Sequence, residues 1–319
     1  MDIMEKKIEE FFERVRNAKS IAIMGHKNPD GDSLCSVLAL AHLIEENFGV
    51  RPVCMYDGNI PDSLDNVPLR THIKYFERVD MTQSFDLAIV MDYGNPVHIG
   101  GARPVVDRAG FVIEIDHHKN ENTVGSLCIN DDTAAATAVI VYHIMRAGGL
   151  AMDSYTANLL ALAILTDTGN FKFVRNGDAL RIMADLVDSG VNVRNLIELM
   201  NNKPRKAVQL EARTAATAEF FYHGRLALAT ISKKDYKHLD GRGETVLNLL
   251  GQIQGVDYIV LLKEQKPEQI GLSIRSRKKP IDQIAVALGG GGHERAAGAV
   301  VRDTLENVRA RVLELFKEA

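Results

Sequence analysis

Four short apolar runs set the limits on what this chain can fold into. Ile21–Met24, Val53–Tyr56, Leu87–Met91 and Phe111–Ile115 are four or five residues long, and stretches patterned at helical spacing lie between them. A strand that is apolar on successive residues is buried on both faces, so helices must cover both faces and the strands must run parallel. The expected architecture is an α/β fold with a mostly parallel, doubly wound N-terminal sheet.

The intervening segments agree with this. Residues 3–17 place Ile3, Ile8, Phe11, Phe12 and Val15 on one helical face. Ser33 is placed to cap a helix reaching about Asn47 and stopping at Gly49, and Thr133 to cap a longer one ending at Gly148 and Gly149. A further helix covers Tyr155–Leu165. Residues 178–219 read as wholly helical apart from an interruption at Pro204. Beyond them Leu226–Ile231, Tyr258–Lys263 and Ile270–Arg275 read as strands, with helices near 280–288 and 303–317. This predicts a first domain over 1–190, a helical linker over 191–205 and a smaller α/β domain over 206–319.

The chemistry gathers where the apolar segments end. The first strand runs into Gly25-His26-Lys27-Asn28-Pro29-Asp30-Gly31-Asp32, the third into Asp92, and the fourth into Asp116-His117-His118. The helix ending at Leu165 runs into Thr166-Asp167-Thr168-Gly169. Open α/β sheets bind ligands beyond the carboxyl ends of their strands, so these distant segments are expected to meet on one rim. Each motif alone is compatible with a turn or a cap; their coincidence at segment ends is not explained that way. Asp30, Asp32, Asp92 and Asp167 bring four negative charges, which two divalent cations balance and which repel one another without them. A mixed Asp and His set favours manganese over magnesium, with cobalt, zinc and iron left open.

Composition narrows the partners. A net charge of −4 provides no basic field to hold long duplex DNA, so a nucleic-acid partner is expected to be short and gripped locally. Three scattered cysteines form no CxxC pair, which fits a reducing compartment. No window resembles a signal peptide or a membrane span, and the expected location is cytoplasmic. The aromatic residues form no stripe of the kind that stacks single strands.

The run His26-x-x-Pro29-Asp30-x-Asp32, then Asp92, Asp116-His117-His118 and Asp167-Thr168-Gly169, resembles the DHH phosphoesterase family. Gly289-Gly-Gly-Gly292-His293 followed by Ala296-Ala297-Gly298 resembles the accompanying DHHA1 domain. The likeness spans nearly the whole chain and is strongest to short bacterial oligoribonucleases that also act on 3′-phosphoadenosine 5′-phosphate. It implies that His26 and Asp30 hold one metal, that Asp32, His117 and Asp167 hold a second, and that Asp92 bridges them. Asp116 then orients its neighbours and His118 faces the substrate phosphate. The expected cofactor is two Mn²⁺ per site, with Mg²⁺ or Co²⁺ as substitutes. The expected reaction is in-line attack of an activated water on phosphorus. A homodimer is expected by analogy.

In the second domain the four-glycine run lets backbone amides approach an anion closely, and His293 and Arg295 lie nearby. Arg275 and Arg277 share a face at a strand end. The resemblance favours Arg275 as a phosphate clamp, with Arg277, Gly291, Gly292 and His293 as further substrate contacts. The first domain is thus expected to cut while the second recognises the nucleotide. Alternatives are a cyclic dinucleotide phosphodiesterase, a RecJ-like exonuclease, a pyrophosphatase, and a nucleotide-binding protein without catalysis.

Overall fold

The computed structural model describes residues 3–60, 64, 72–80, 82–119, 122–174, 176–239, 243–292 and 294–317. The chain divides into two units, Met1–Asn201 and Asn202–Ala319.

In the first unit α1 (Ile3–Asn17) buries Ile8, Phe11, Phe12 and Val15, while Ile3 at its start stays exposed. It leads to β1 (Ile21–Met24), α2 (Gly31–Phe48), β2 (Val53–Tyr56), β3 (Ile73–Tyr75), β4 (Leu87–Met91), α3 (Arg103–Arg108), β5 (Phe111–Asp116) and β6 (Leu127–Asn130). Helices α4 (Thr137–Ala147), α5 (Ser154–Asp167), α6 (Asp178–Asp188) and α7 (Val193–Asn201) complete it. The sheet order is β3-β2-β1-β4-β5-β6 and every pairing is parallel. Alternate strand residues enter opposite layers. Ile21, Ile23, Ile89 and Ile113 pack with α2, α4 and α5, whereas Ala22, Met24, Ala88 and Val90 pack with Ile99, Val105 and Val106. Strand order reverses between β1 and β4, which creates the crevice where this architecture binds ligands.

Helix α5 is apolar all round and buries Leu159, Leu160, Leu162, Ile164 and Leu165. A helix of that kind belongs inside a fold. Each such side chain contributes about 1.5–3 kcal/mol by leaving water, so the Asp167 end of α5 is firmly anchored.

Several elements depart from the sequence-based expectation. Asp30, not Ser33, caps α2, because its extended backbone lets the carboxylate accept the Ser33 amide. Helix α4 begins at Thr137, after Ala136, and Thr133 instead donates to Asp131 in a turn. Residues 178–219 hold three helices, and Leu196 of α7 lies in the first unit's core. Edge strands β3 and β6, only three and four residues long, lie outside the expected set of strands.

The second unit opens with α8 (Arg205–Ala216), which Pro204 starts, and continues with β7 (Glu219–Phe221), β8 (Leu226–Ile231), α9 (Lys233–Tyr236), α10 (Glu244–Gly251), β9 (Tyr258–Lys266) and β10 (Gln269–Ser276). It ends with α11 (Asp282–Ala287), β11 (Gly291–Gly292), β12 (Ala296–Val301) and α12 (Leu305–Phe316). Its sheet order is β11-β12-β10-β9-β8-β7, with only β8 and β9 parallel among the described pairings. Strand β12 is poor in branched residues and is held by its register against β10, from Ile270↔Val301 to Arg275↔Ala296.

Candidate metal centre

The elements that end at the crevice bring their acidic and imidazole groups together. His26 follows β1. Its Nδ1 lies 2.8 Å from the Lys27 carbonyl, which turns Nε2 toward Asp30 Oδ2 at 3.6 Å and Asp92 Oδ2 at 3.7 Å. Asp92 follows β4 with a left-handed backbone, φ 49°, and is buried. His117 follows β5. Its Nδ1 lies 3.4 Å from the Ala134 carbonyl, and its Nε2 lies 3.4 Å from Asp92 Oδ1 and 3.7 Å from Asp167 Oδ2. In each case a carbonyl engages one ring nitrogen and leaves the other for the cluster, as in most metal-binding histidines.

Among the described residues three groups of candidate ligands result: His26, Asp30 and Asp92; Asp32, His117 and Asp167; and Asp92, His117 and His118. Within each, one ligand atom per residue lies within 4.8 Å of the others. Asp92 belongs to two of them and so stands between the first pair of ligands and His117.

Asp32 is fully buried on the first turn of α2. Its oxygens accept from Ser36 Oγ at 2.8 Å and from the amides of Ala138 at 3.2 Å and Thr137 at 2.7 Å. The buried amides at the start of α4, which have no acceptor within the helix, are thus capped from 105 residues away. Glycine at 31 is required here, because a methyl group would stand 2.5 Å from Thr166 Oγ1. That close approach of α2 to α5 brings Asp32 toward Asp167.

The electrostatics of the cluster suit a bound cation. Burial raises the Asp32 carboxyl well above its usual range, and the charges of Asp92 and Asp167 raise it further. Burial likewise pushes Asp167 up to about 7, against the pull of His117. Asp167 also ends a helix, where the macrodipole disfavours a carboxylate. Burial opposes charge on His26 and His117, yet Asp30 and Asp92 raise His26 to about 9, and Asp92, Asp167 and Asp32 raise His117 to about 10. Divalent cations suit the same place, since deprotonated Nε2 atoms and carboxylate oxygens are lone-pair donors of the types manganese and its neighbours bind.

Asp116 does not face the cluster. Its Oδ2 accepts the amides of Tyr93 at 3.0 Å and Gly94 at 2.8 Å, and its Oδ1 accepts the His118 amide at 2.9 Å and lies 2.7 Å from His118 Nδ1. Burial alone would raise this carboxyl, but His118 and the amides of Gly94 and His118 hold it well below the usual range. His118 also stands 3.6 Å from Asp92 Oδ1 through Nδ1.

Glu114 completes the support and was missed in the sequence. It is fully buried and accepts Tyr93 Oη at 2.8 Å, the amides of Val124 and Gly125 at 2.9 Å each, and Asn130 Nδ2 at 2.6 Å. An acid inside the apolar run Phe111-Val-Ile-Glu-Ile115 was the available signal. His42 and His143 pair with Asp153 and Asp178 instead of joining the cluster.

In the second unit Arg275 is held by Glu244 and by the Ile274 carbonyl at 3.0 Å. Arg277 donates to the carbonyls of Gly251 at 3.0 Å and Ile253 at 3.4 Å. Gly291 and Gly292 form the exposed edge strand β11, opposite Gly298 and Ala297. A methyl group at Gly292 would stand 2.6 Å from Ala297 Cα, so close strand packing already demands that glycine. His293 lies outside the described residues.

Comparison with known proteins adds to this geometry. Residues 20–164 match the model of the DHH family N-terminal domain, and residues 229–319 match the DHHA1 domain. The bifunctional oligoribonuclease and PAP phosphatase NrnA of Thermus thermophilus is 31% identical, over 93% of this chain and 89% of that protein. Its Bacillus subtilis counterpart is 24% identical, over 94% and 95%. An exopolyphosphatase-related protein from Bacteroides fragilis superposes with a TM-score of 0.89 at 23% identity, covering 98% of this chain and 97% of that one, and shares the fold.

Proposed function

This chain belongs to the DHH family, and on that premise we propose that it is a two-metal phosphoesterase acting on short oligoribonucleotides and on 3′-phosphoadenosine 5′-phosphate. The observation that carries the proposal is Asp92, a buried carboxylate with one oxygen toward His26 and the other toward His117.

In this reading His26 and Asp30 would hold one cation and Asp32, His117 and Asp167 a second, with Asp92 available to both. Mn²⁺ is the proposed ion on the strength of the mixed imidazole and carboxylate set. Bound divalent cations supply Lewis acidity that lowers the pKa of water and offsets charge on a phosphoryl group. The chain's own residues supply the rest. The Asp116 carboxylate orients the His118 ring, and its grip on the Tyr93 and Gly94 amides fixes the backbone just after Asp92. His118 would then donate to a phosphate oxygen as charge gathers there.

Arg275, Arg277, Gly291, Gly292 and His293 are the proposed substrate contacts of the second unit. Arg275 would exchange its Glu244 partner for a phosphate, a trade that favours small, highly charged substrates. A small nucleotide also suits a chain of net charge −4.

The test is turnover of a ribodinucleotide and of 3′-phosphoadenosine 5′-phosphate with Mn²⁺, with products separated by chromatography. Asp92→Asn should lower kcat by at least about 100-fold and weaken Mn²⁺ binding in calorimetry. No turnover of either compound by the Mn²⁺-loaded wild type, or full activity of Asp92→Asn, overturns the proposal.

A further inference from the structure

The segment after Asp167 shows a feature that metal binding does not use. Gly169, Asn170 and Phe171 are three successive left-handed residues, with φ of 56°, 58° and 66°. Such a conformation is costly for a bulky side chain like Phe171. A similar run at Tyr222–Gly224 is explained by the tight turn between β7 and β8. The run at 169–171 follows a helix and joins no strands.

What this turn achieves is the placement of Phe173. The Asn170 amide donates to Leu165 O at 2.8 Å, the Phe171 amide to Thr168 Oγ1 at 2.9 Å, and the Phe173 amide to Thr168 O at 3.0 Å. Phe171 packs against the core, but Phe173 remains 48% exposed. Its ring lies on Gly169, where a methyl group would stand 3.0 Å from Phe173 Cε2, so it sits beside a residue only two positions from Asp167. Lys172 Nζ stands 5.2 Å from the ring centroid. A half-exposed aromatic ring with a cation over it suits a ligand that is flat and anionic. Every nucleobase has such a π-face, and stacking on it needs no sequence-specific hydrogen bonds.

We propose that Phe173 is the platform on which the nucleobase of the substrate stacks while its phosphate lies at the metal centre. The inference rests on the nucleotide reading above and assigns a specificity role that a distributed aromatic stripe would otherwise fill. It predicts tolerance of base identity with a preference for purines, whose larger face overlaps more of the ring.

The experiment compares binding of AMP and of base-free 1-O-methylribose 5-phosphate to the Mn²⁺-loaded full chain by calorimetry. Phe173→Leu should reduce the preference for AMP by about 5- to 100-fold, and Phe173→Trp should restore it to within a few-fold of wild type. Thermal unfolding of both variants serves as the folding control. An unchanged preference in Phe173→Leu overturns the proposal. So does a changed sedimentation coefficient with an unchanged preference, which would assign the ring to a contact between copies of the chain. Turnover of 3′-phosphoadenosine 5′-phosphate separates the two claims. Lost turnover with the AMP preference intact sinks the catalytic reading alone, and normal turnover with no role for Phe173 sinks this one alone.

Discussion

Replacing Asp116 with asparagine keeps the shape of a fully buried side chain and removes its charge. The native carboxylate accepts three backbone amides and faces His118 Nδ1. The amide of asparagine offers one accepting oxygen. If that oxygen keeps Tyr93 and Gly94, the new NH₂ group meets the His118 amide and leaves it unpaired, although a neutral His118 ring can turn an acceptor toward it. The reverse orientation leaves two amides unpaired. Each unsatisfied donor costs about 1–3 kcal/mol, and the surviving bonds lose their charge assistance. The sum is about 2–5 kcal/mol for the first unit. In a unit of this size each kcal/mol corresponds to roughly 2–4 °C in Tm, so a fall on the order of 10 °C is expected. Because two of the amides follow Asp92 directly, metal affinity should also fall by about 10- to 100-fold. Calorimetric unfolding of the metal-free chain and Mn²⁺ titration measure the two effects. The sign with pH is fixed as well. A carboxyl held below its usual range stabilises above its unfolded value of about 3.9 and loses that contribution as pH falls. The gap between wild type and variant should therefore narrow in acid. A variant with wild-type Tm and wild-type metal affinity would refute the positioning role.

Two further outcomes follow from the same geometry. In the metal-free protein Asp167 titrates near 7, above its unfolded value, so its ionisation destabilises the fold as pH rises from about 4 to 7. His26 and His117, raised to about 9 and about 10, contribute stability below about 6.5 that is lost as pH climbs through those values. The Tm in chelator should therefore decline from pH 5 to pH 10, and Mn²⁺ should raise it more at pH 8 than at pH 5; a metal-free Tm that increases with pH over this range contradicts the reasoning. Gly31→Ala places a methyl group against Thr166 and should cost about 1–3 kcal/mol in urea unfolding, with weaker Mn²⁺ binding because Asp32 and Asp167 are forced apart. Unaltered unfolding and Mn²⁺ affinity would show that α2 and α5 do not need that contact.

The apolar strand runs and the clusters at their ends were legible because both are local. Burial on two faces is written in consecutive residues such as Leu87–Met91, and carboxylates at element ends stand out against them. The family likeness came from the same residues. The sequence by itself therefore determined the parallel sheet, the candidate ligands and the family. Tertiary structure decided what each polar group answers to. Thr133 looked like the cap of α4, yet that helix starts at Thr137 because Asp32, far away in sequence, accepts its first amides. Asp116 and Glu114 both sit in β5, but only the folded chain shows that they hold the Tyr93 and Gly94 amides and the Tyr93 hydroxyl. The physical reason is range. Hydrophobic period and helix-end chemistry act over a few neighbouring residues, whereas a buried carboxylate takes whatever donors the fold brings within hydrogen-bonding distance.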